Sequence, residues 1–240
     1  MTPEARNSQN PLGVIFDGDD TLWSTEQLYD EARSDARRVV EESGLDGERW
    51  EQRERLIDVQ NVAKFGYSVE RFPTSCVQAY EELCMTEGRT VDKVTSQLIR
   101  QAAKSVFERD PPLISGARET LKFLRAKGVR LGLLTKGDFK LQTRRIERSG
   151  LCKLFDIVKI VTEKSPAIIL EVVAELGVDV RAAWMVGNSL RSDVFPAMKA
   201  GLRAIWIPAH VWEYERSNDD IADKHEIIKS HLAEIPALII

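Results

Sequence analysis

Two carboxylates, Asp17 and Asp19, stand two residues apart in VIFDGDDTLW (14–23), directly after an apolar run. Acids this close repel one another and lose hydration as they are buried, and a bound cation resolves that conflict. The purely structural use of the same peptide is a strand-to-helix turn with Asp20 or Thr21 as the cap. Three later segments add complementary chemistry. Thr135 ends VRLGLLT with Lys136 beside it, Lys164 precedes SPAIILEVV, and the loop GNSLRSD (187–193) carries Asn188 and Asp193. A hydroxyl, an ammonium and further carboxylates could therefore converge on Asp17 if these segments meet.

The elements that must bring them together are legible from hydrophobic periodicity. Apolar runs at 12–17, 129–135, 156–161, 182–188 and 202–208 have the length and composition of buried strands. Helical patterns at 115–127, 139–149, 165–176 and 190–200 lie between them, followed by Gly128, Gly150, Gly177 and Gly201, a common stop after a helix. Strands alternating with single helices predict right-handed crossovers and a doubly wound, Rossmann-like α/β fold with a parallel sheet. The carboxyl ends of such strands share one edge, which is where the four segments above would meet. Weaker patterns at 225–229 and 231–238 predict a final edge strand and helix.

The alternation breaks once, across residues 24–112, where helical periodicity takes over. Leu28, Ala32, Ala36, Val39 and Val40 form one apolar stripe; Phe72, Cys76, Tyr80, Leu83 and Cys84 form a second; Val91, Val94, Leu98, Ala102 and Val106 form a third. A fourth helix is expected near 48–64, and Pro111 and Pro112 close the segment. The predicted organisation is an α/β core of residues 1–23 and 113–240 with an all-helical insertion at 24–112.

The chain's 240 residues are 43% hydrophobic and 30% charged with a net charge of −4, the profile of a globular protein without a broad nucleic-acid or anionic-membrane surface. Cys76, Cys84 and Cys152 lack the spacing of a zinc site and are odd in number, which fits a reducing cytoplasm better than a disulfide framework. The N-terminal residues MTPEARNSQNP hold no apolar targeting core, and no run reaches the roughly 18 apolar residues of a membrane span. His210, His225 and His231 have no metal-binding spacing and read as surface or packing residues. Trp23, Tyr29 and Asp138 flank the site peptides and could either pack or touch a ligand. Neither GxxxxGK[ST] nor GxGxxG occurs, so no other phosphate-binding device competes.

The four segments, in this order, resemble the motifs of the haloacid dehalogenase superfamily. DxDxT matches Asp17, Asp19 and Thr21; a Ser or Thr ending a strand matches Thr135; a lone lysine before a helix matches Lys164; an acidic loop after a strand matches Gly187–Asp193. The helical insertion after the first motif is similar to the family's cap. One departure is Asn188, where many family phosphatases carry an acid. The resemblance implies a phosphatase of a small phosphorylated metabolite. In it Asp17 would be the nucleophile, Asp19 the acid and base, and Thr135, Lys136, Lys164 and Asn188 would hold the phosphate. Mg2+ would be held by Asp17, the Asp19 carbonyl and Asp193. Asp19 disfavours the dehalogenase branch, which lacks the second aspartate. A 2-haloacid dehalogenase-type hydrolase, a phosphomutase and a silent phospholigand-binding protein are the alternatives.

Overall fold

The apolar runs form strands at the expected places. They are β1 (Gly13–Phe16), β2 (Arg130–Lys136), β3 (Ile157–Val161), β4 (Ala183–Gly187), β5 (Arg203–Trp206) and β6 (Ile228–Lys229). In the computed structural model, which describes residues 11–209, 212–215 and 228–240, all five pairings are parallel and the order is β3-β2-β1-β4-β5-β6. This is the doubly wound α/β architecture. Strand alternation divides the core between the two faces of the sheet. Val14 and Phe16 pack with Leu121 and Leu124 of α5 (Ala117–Ala126) and Ile146 of α6 (Phe139–Ser149), whereas Ile15 packs with Ile169 and Val172 of α7 (Pro166–Leu176).

Between β1 and α5 the chain is helical, with α1 (Glu26–Glu42), α2 (Gly47–Phe65), α3 (Arg71–Thr86) and α4 (Lys93–Lys104). These helices bury a cluster of their own, including Ala36, Trp50, Phe72, Cys76 and Ile99. The chain enters and leaves this segment through one narrow crossing: Ser24 N–H donates to the Pro112 carbonyl at 2.9 Å, and Ile114 N–H to the Leu22 carbonyl at 2.9 Å.

Two local expectations are corrected. In α4 the buried face is Ile99 and Ala103, continued by Val106, while Val94 and Leu98 are 64% and 48% exposed. Both residue sets recur at helical spacing, and packing against α1 and α3 selects the other one. The helix expected at 190–200 opens instead as a wide π turn, Leu190–Val194, before α8 (Phe195–Lys199). Pro196 has no N–H to continue an α-helical ladder from that turn. At the C-terminus, the described part of the edge strand is only Ile228–Lys229, followed by a 3-10 turn and α9 (Ile235–Ile239). His231 forms the N-cap of that turn, whereas His210 and His225 lie outside the described residues. The three cysteines are free thiols, Cys76 and Cys84 buried and Cys152 exposed. Among the described residues no helix is long and apolar enough to cross a membrane.

Trp50 is fully buried in the helical segment and its indole N–H donates to the Cys76 carbonyl at 3.0 Å. Trp50→Ala is expected to lower the unfolding free energy by about 3–5 kcal/mol, measured by urea denaturation followed by circular dichroism.

Candidate active site

The peptide after β1 turns sharply, and its acids divide into separate tasks. The Gly18 carbonyl accepts from the N–H groups of Thr21, Leu22 and Trp23. A side chain at Gly18 is excluded, because its Cβ would sit 2.5 Å from the Trp23 ring. Asp20 adopts φ 57°, a left-handed conformation that short acidic side chains tolerate. Its carboxylate accepts from Thr25 N–H at 2.8 Å, Thr25 Oγ1 at 2.6 Å and Glu26 N–H at 3.0 Å. Asp20 thus ties down the start of α1, while Asp17 and Asp19 are left for the cavity.

Asp17 and Lys164 are both buried, and Lys164 Nζ donates to Asp17 Oδ1. The same ammonium donates to Asp193 Oδ1 at 2.6 Å. Thr21 Oγ1 donates to Asp17 Oδ2 at 3.1 Å, and Ser189 N–H to Asp193 Oδ2 at 2.9 Å. Gly187 is obligatory here, since a Cβ would meet the Asp193 carboxylate at 2.3 Å. Burial drives the Asp17 carboxyl up, Lys164 pulls it down and the Asp193 charge raises it again, leaving it at about 7. Despite its own burial, Lys164 is held above its ordinary value by Asp17 and Asp193. The cluster therefore holds less positive charge than its two carboxylates demand.

Asp19 also lines the cavity, partly exposed, and is oriented by three donors. Trp23 Nε1 reaches Oδ1 at 2.6 Å, and Gln142 Nε2 and Arg145 Nη1 reach Oδ2 at 2.7 and 3.0 Å. Gln142 and Arg145 were not anticipated from the sequence. They are buried polar positions three residues apart on α6, and only the fold brings them to Asp19. Trp23 is thereby a contact of the site. Asp138 caps α6 by accepting from Leu141 N–H at 3.0 Å, and Tyr29 both lines the cavity and packs edge-on against Phe72.

A cavity of about 130 Å³ opens over these groups, with Asp17, Asp19, Lys164, Asn188 and Asp193 in its wall together with Tyr29, Arg33 and Arg71 from the helical segment. Thr135 lies under the turn, fully buried against Gly18, and its Oγ1 has no hydrogen-bond partner. Lys136 also lines the cavity, but its Nζ is engaged by Ser192 Oγ and Glu215 Oε1, both at 2.6 Å. Asn188 Oδ1 is 3.5 Å from Thr21 Oγ1, and its carbonyl accepts from Trp206 Nε1 at 2.8 Å. The four segments thus meet at one cavity, with Thr135 itself buried behind the turn rather than in the wall.

Among the described residues no three His, Cys, Asp or Glu side chains are grouped as a metal cage. Magnesium does not require one, since it characteristically takes one or two carboxylates and fills its other positions with water and phosphate oxygens. Asp17 and Asp193, gathered at a single ammonium and short of positive charge, fit that donor set.

A model of haloacid dehalogenase-like hydrolases matches residues 12–201. The chain belongs to this family. The family's strand-end segments and the helical segment between β1 and α5 both fall inside the match. A haloacid dehalogenase-like family hydrolase from Xanthomonas campestris superposes with a TM-score of 0.79 at 29% identity, covering 100% of this chain and 95% of that one. Glyceraldehyde 3-phosphate phosphatase of Methanopyrus kandleri is 28% identical over 88% of this chain and 90% of its own. Human N-acylneuraminate-9-phosphatase is 28% identical over 81% of each chain.

The unpartnered hydroxyl of Thr135 offers a test that reads stability and oxyanion binding separately. Thr135→Val removes a buried donor that bonds nothing, so the melting temperature is expected to hold or rise, while affinity for a tungstate oxyanion falls roughly tenfold or more. Thermal unfolding and calorimetric titration of the variant check both halves.

Proposed function

We propose that this chain is a magnesium-dependent phosphatase of small phosphorylated metabolites, working through an aspartyl-phosphate at Asp17. The observation that carries the reading is the pair of carboxylates at one cavity, Asp17 on the Lys164 ammonium and Asp19 held separately by Trp23, Gln142 and Arg145. Relatives that are phosphatases of glyceraldehyde 3-phosphate and N-acylneuraminate 9-phosphate support a small phosphomonoester as substrate.

In the first step an Asp17 carboxylate oxygen forms a bond to phosphorus while the bond from phosphorus to the ester oxygen breaks, and Asp19 supplies the proton that the departing oxygen needs. In the second step Asp19 takes a proton from water, whose oxygen attacks phosphorus and releases Asp17. Lys164 offsets the charge that builds on the transferring oxygens, and the Thr135 hydroxyl, unpaired beforehand, is free to donate to one of them. Magnesium bound by Asp17 and Asp193 would supply electrostatic shielding between the attacking carboxylate and the phosphate dianion. Lys136, engaged by Glu215, acts on the shape of the site more than on the phosphate.

The helical segment serves as a cap: with Tyr29, Arg33 and Arg71 it walls the cavity and excludes bulky phosphoproteins, so its opening gates entry and release. Residues 24–112 constitute the cap, and 1–23 with 113–240 the core. The cytoplasm is the compartment in which three free thiols remain reduced.

Purified protein is expected to release phosphate from p-nitrophenyl phosphate, to stop on chelation and to recover with magnesium; halide release from 2-haloacids without metal would overturn the reading. Asp17→Asn is expected to abolish turnover and the phosphoenzyme. Asp19→Asn should slow turnover about 10²–10⁴-fold, most with poor leaving groups, because one proton carrier is lost. Asn188→Asp adds a carboxylate near the cation, so half-saturating magnesium is expected to fall while saturated turnover changes little, read from parallel magnesium titrations.

A further inference from the structure

Glu215 belongs to none of the strand-end segments. It ends a single 3-10 turn, Glu213–Glu215, beyond β5, and its side chain lines the cavity. Its Oε1 accepts from Tyr67 Oη at 2.7 Å and Lys136 Nζ at 2.6 Å, and its Oε2 from Ser189 Oγ at 2.9 Å and Ser192 Oγ at 2.5 Å. Three of these donors belong to the α/β core. Lys136 follows Thr135, and Ser189 and Ser192 build the turn that presents Asp193, with the Ser189 N–H on Asp193 Oδ2 itself. The fourth, Tyr67, belongs to the helical segment, between α2 and α3. Beside it, the Arg71 guanidinium lies 4.0 Å from the Trp212 ring centroid, so the two walls also meet through a cation–π contact. Burial raises the Glu215 carboxyl, but Lys136 and the hydroxyl donors outweigh it and hold the group at about 2. The four-donor arrangement is therefore charged throughout the neutral range.

We propose that Glu215 is a positioning residue that couples closure of the helical segment, sensed through Tyr67, to the setting of the Ser189–Asp193 turn that would hold magnesium. The inference rests on the phosphatase reading for its metal. Tyr67 on Oε1 and the two serines on Oε2 share one carboxylate, which links the two walls through a single acceptor group; coupling of this kind is reciprocal, so that a cation that sets the turn favours closure and closure favours the cation.

The test uses the full chain as wild type, Tyr67→Phe, Glu215→Gln and the double variant. Magnesium affinity is measured by calorimetry without substrate, and amide hydrogen exchange across 65–72 with and without magnesium. Glu215→Gln is expected to weaken magnesium about 10-fold and Tyr67→Phe several-fold, although Tyr67 touches no candidate ligand, with the double variant no weaker than Glu215→Gln alone. Magnesium should slow exchange at 65–72 in wild type and not in the variants. Unchanged magnesium affinity in Tyr67→Phe, additive losses in the double variant, or exchange indifferent to magnesium would each overturn the proposal. Should Glu215→Gln fail to fold, Tyr67→Phe, which deletes one oxygen, carries the test alone. Coupling without hydrolysis of p-nitrophenyl phosphate would sink the phosphatase reading and leave this one standing; hydrolysis without coupling would do the reverse.

Discussion

The buried Lys164 ammonium between Asp17 and Asp193 is the interaction on which the rest of the site depends. Removing three charges from water is costly, and it is tolerated only because the geometry lets one cation serve both anions. Sheet order creates that geometry. Asp17 leaves β1, Asp193 belongs to the loop after neighbouring β4, and Lys164 follows β3, two strands away across β2. Strands lie about 4.8 Å apart, so the approach from β3 spans roughly 10 Å and demands a long side chain carried on a loop beyond the strand end. A shorter cation donor at 164 would leave two buried carboxylates uncompensated. Burial first, and then the Asp193 charge, keep the Asp17 carboxyl high even with Lys164 in place, and a divalent ion suits the same carboxylates.

Within DGDDT, adjacency in sequence conceals a division of labour. Asp17 faces the buried cation, Asp19 is turned to three donors, and Asp20 holds the first turn of α1. Gly18 and the left-handed Asp20 make the reversal possible, and Trp23 fills the space that Gly18 leaves while gripping Asp19. Asp20 therefore connects the turn after β1 mechanically to the first helix of the helical segment.

The parallel sheet, the order of its strand-end segments and the helical insertion were legible because each is written in short-range periodicity. The face of α4 was not, since two sets of apolar residues satisfy the same spacing and only packing chooses between them. Arg145, Gln142 and Glu215 were missed for a different reason: their partners lie 126, 123 and 148 residues away in sequence, counted to Asp19 for the first two and to Tyr67 for the third. No local pattern encodes such a contact. Lys136, expected at the phosphate, lines the cavity, and its partner Glu215 lies 79 residues away, beyond any local pattern.

The segment 48–64 offered no clean apolar stripe, and α2 explains why. Its buried positions are Trp50, Glu54, Ile57, Asp58 and Asn61, so polar groups share the face that an amphipathic pattern reserves for apolar ones. Glu54 and Asp58, one turn apart, pair with Arg33 and Arg71, and both guanidiniums belong to the cavity wall. Asp58 is further held by Ser75, whose neighbour Asn61 closes the network. Buried ion pairs of this type add little net stability against an apolar replacement, yet removing one partner is expensive. The helical segment thus accepts a core that apolar residues would stabilise equally well. What it obtains is two guanidiniums fixed in orientation at the cavity, each balanced by its own buried carboxylate, so that their donors are held in place without leaving the wall net positive.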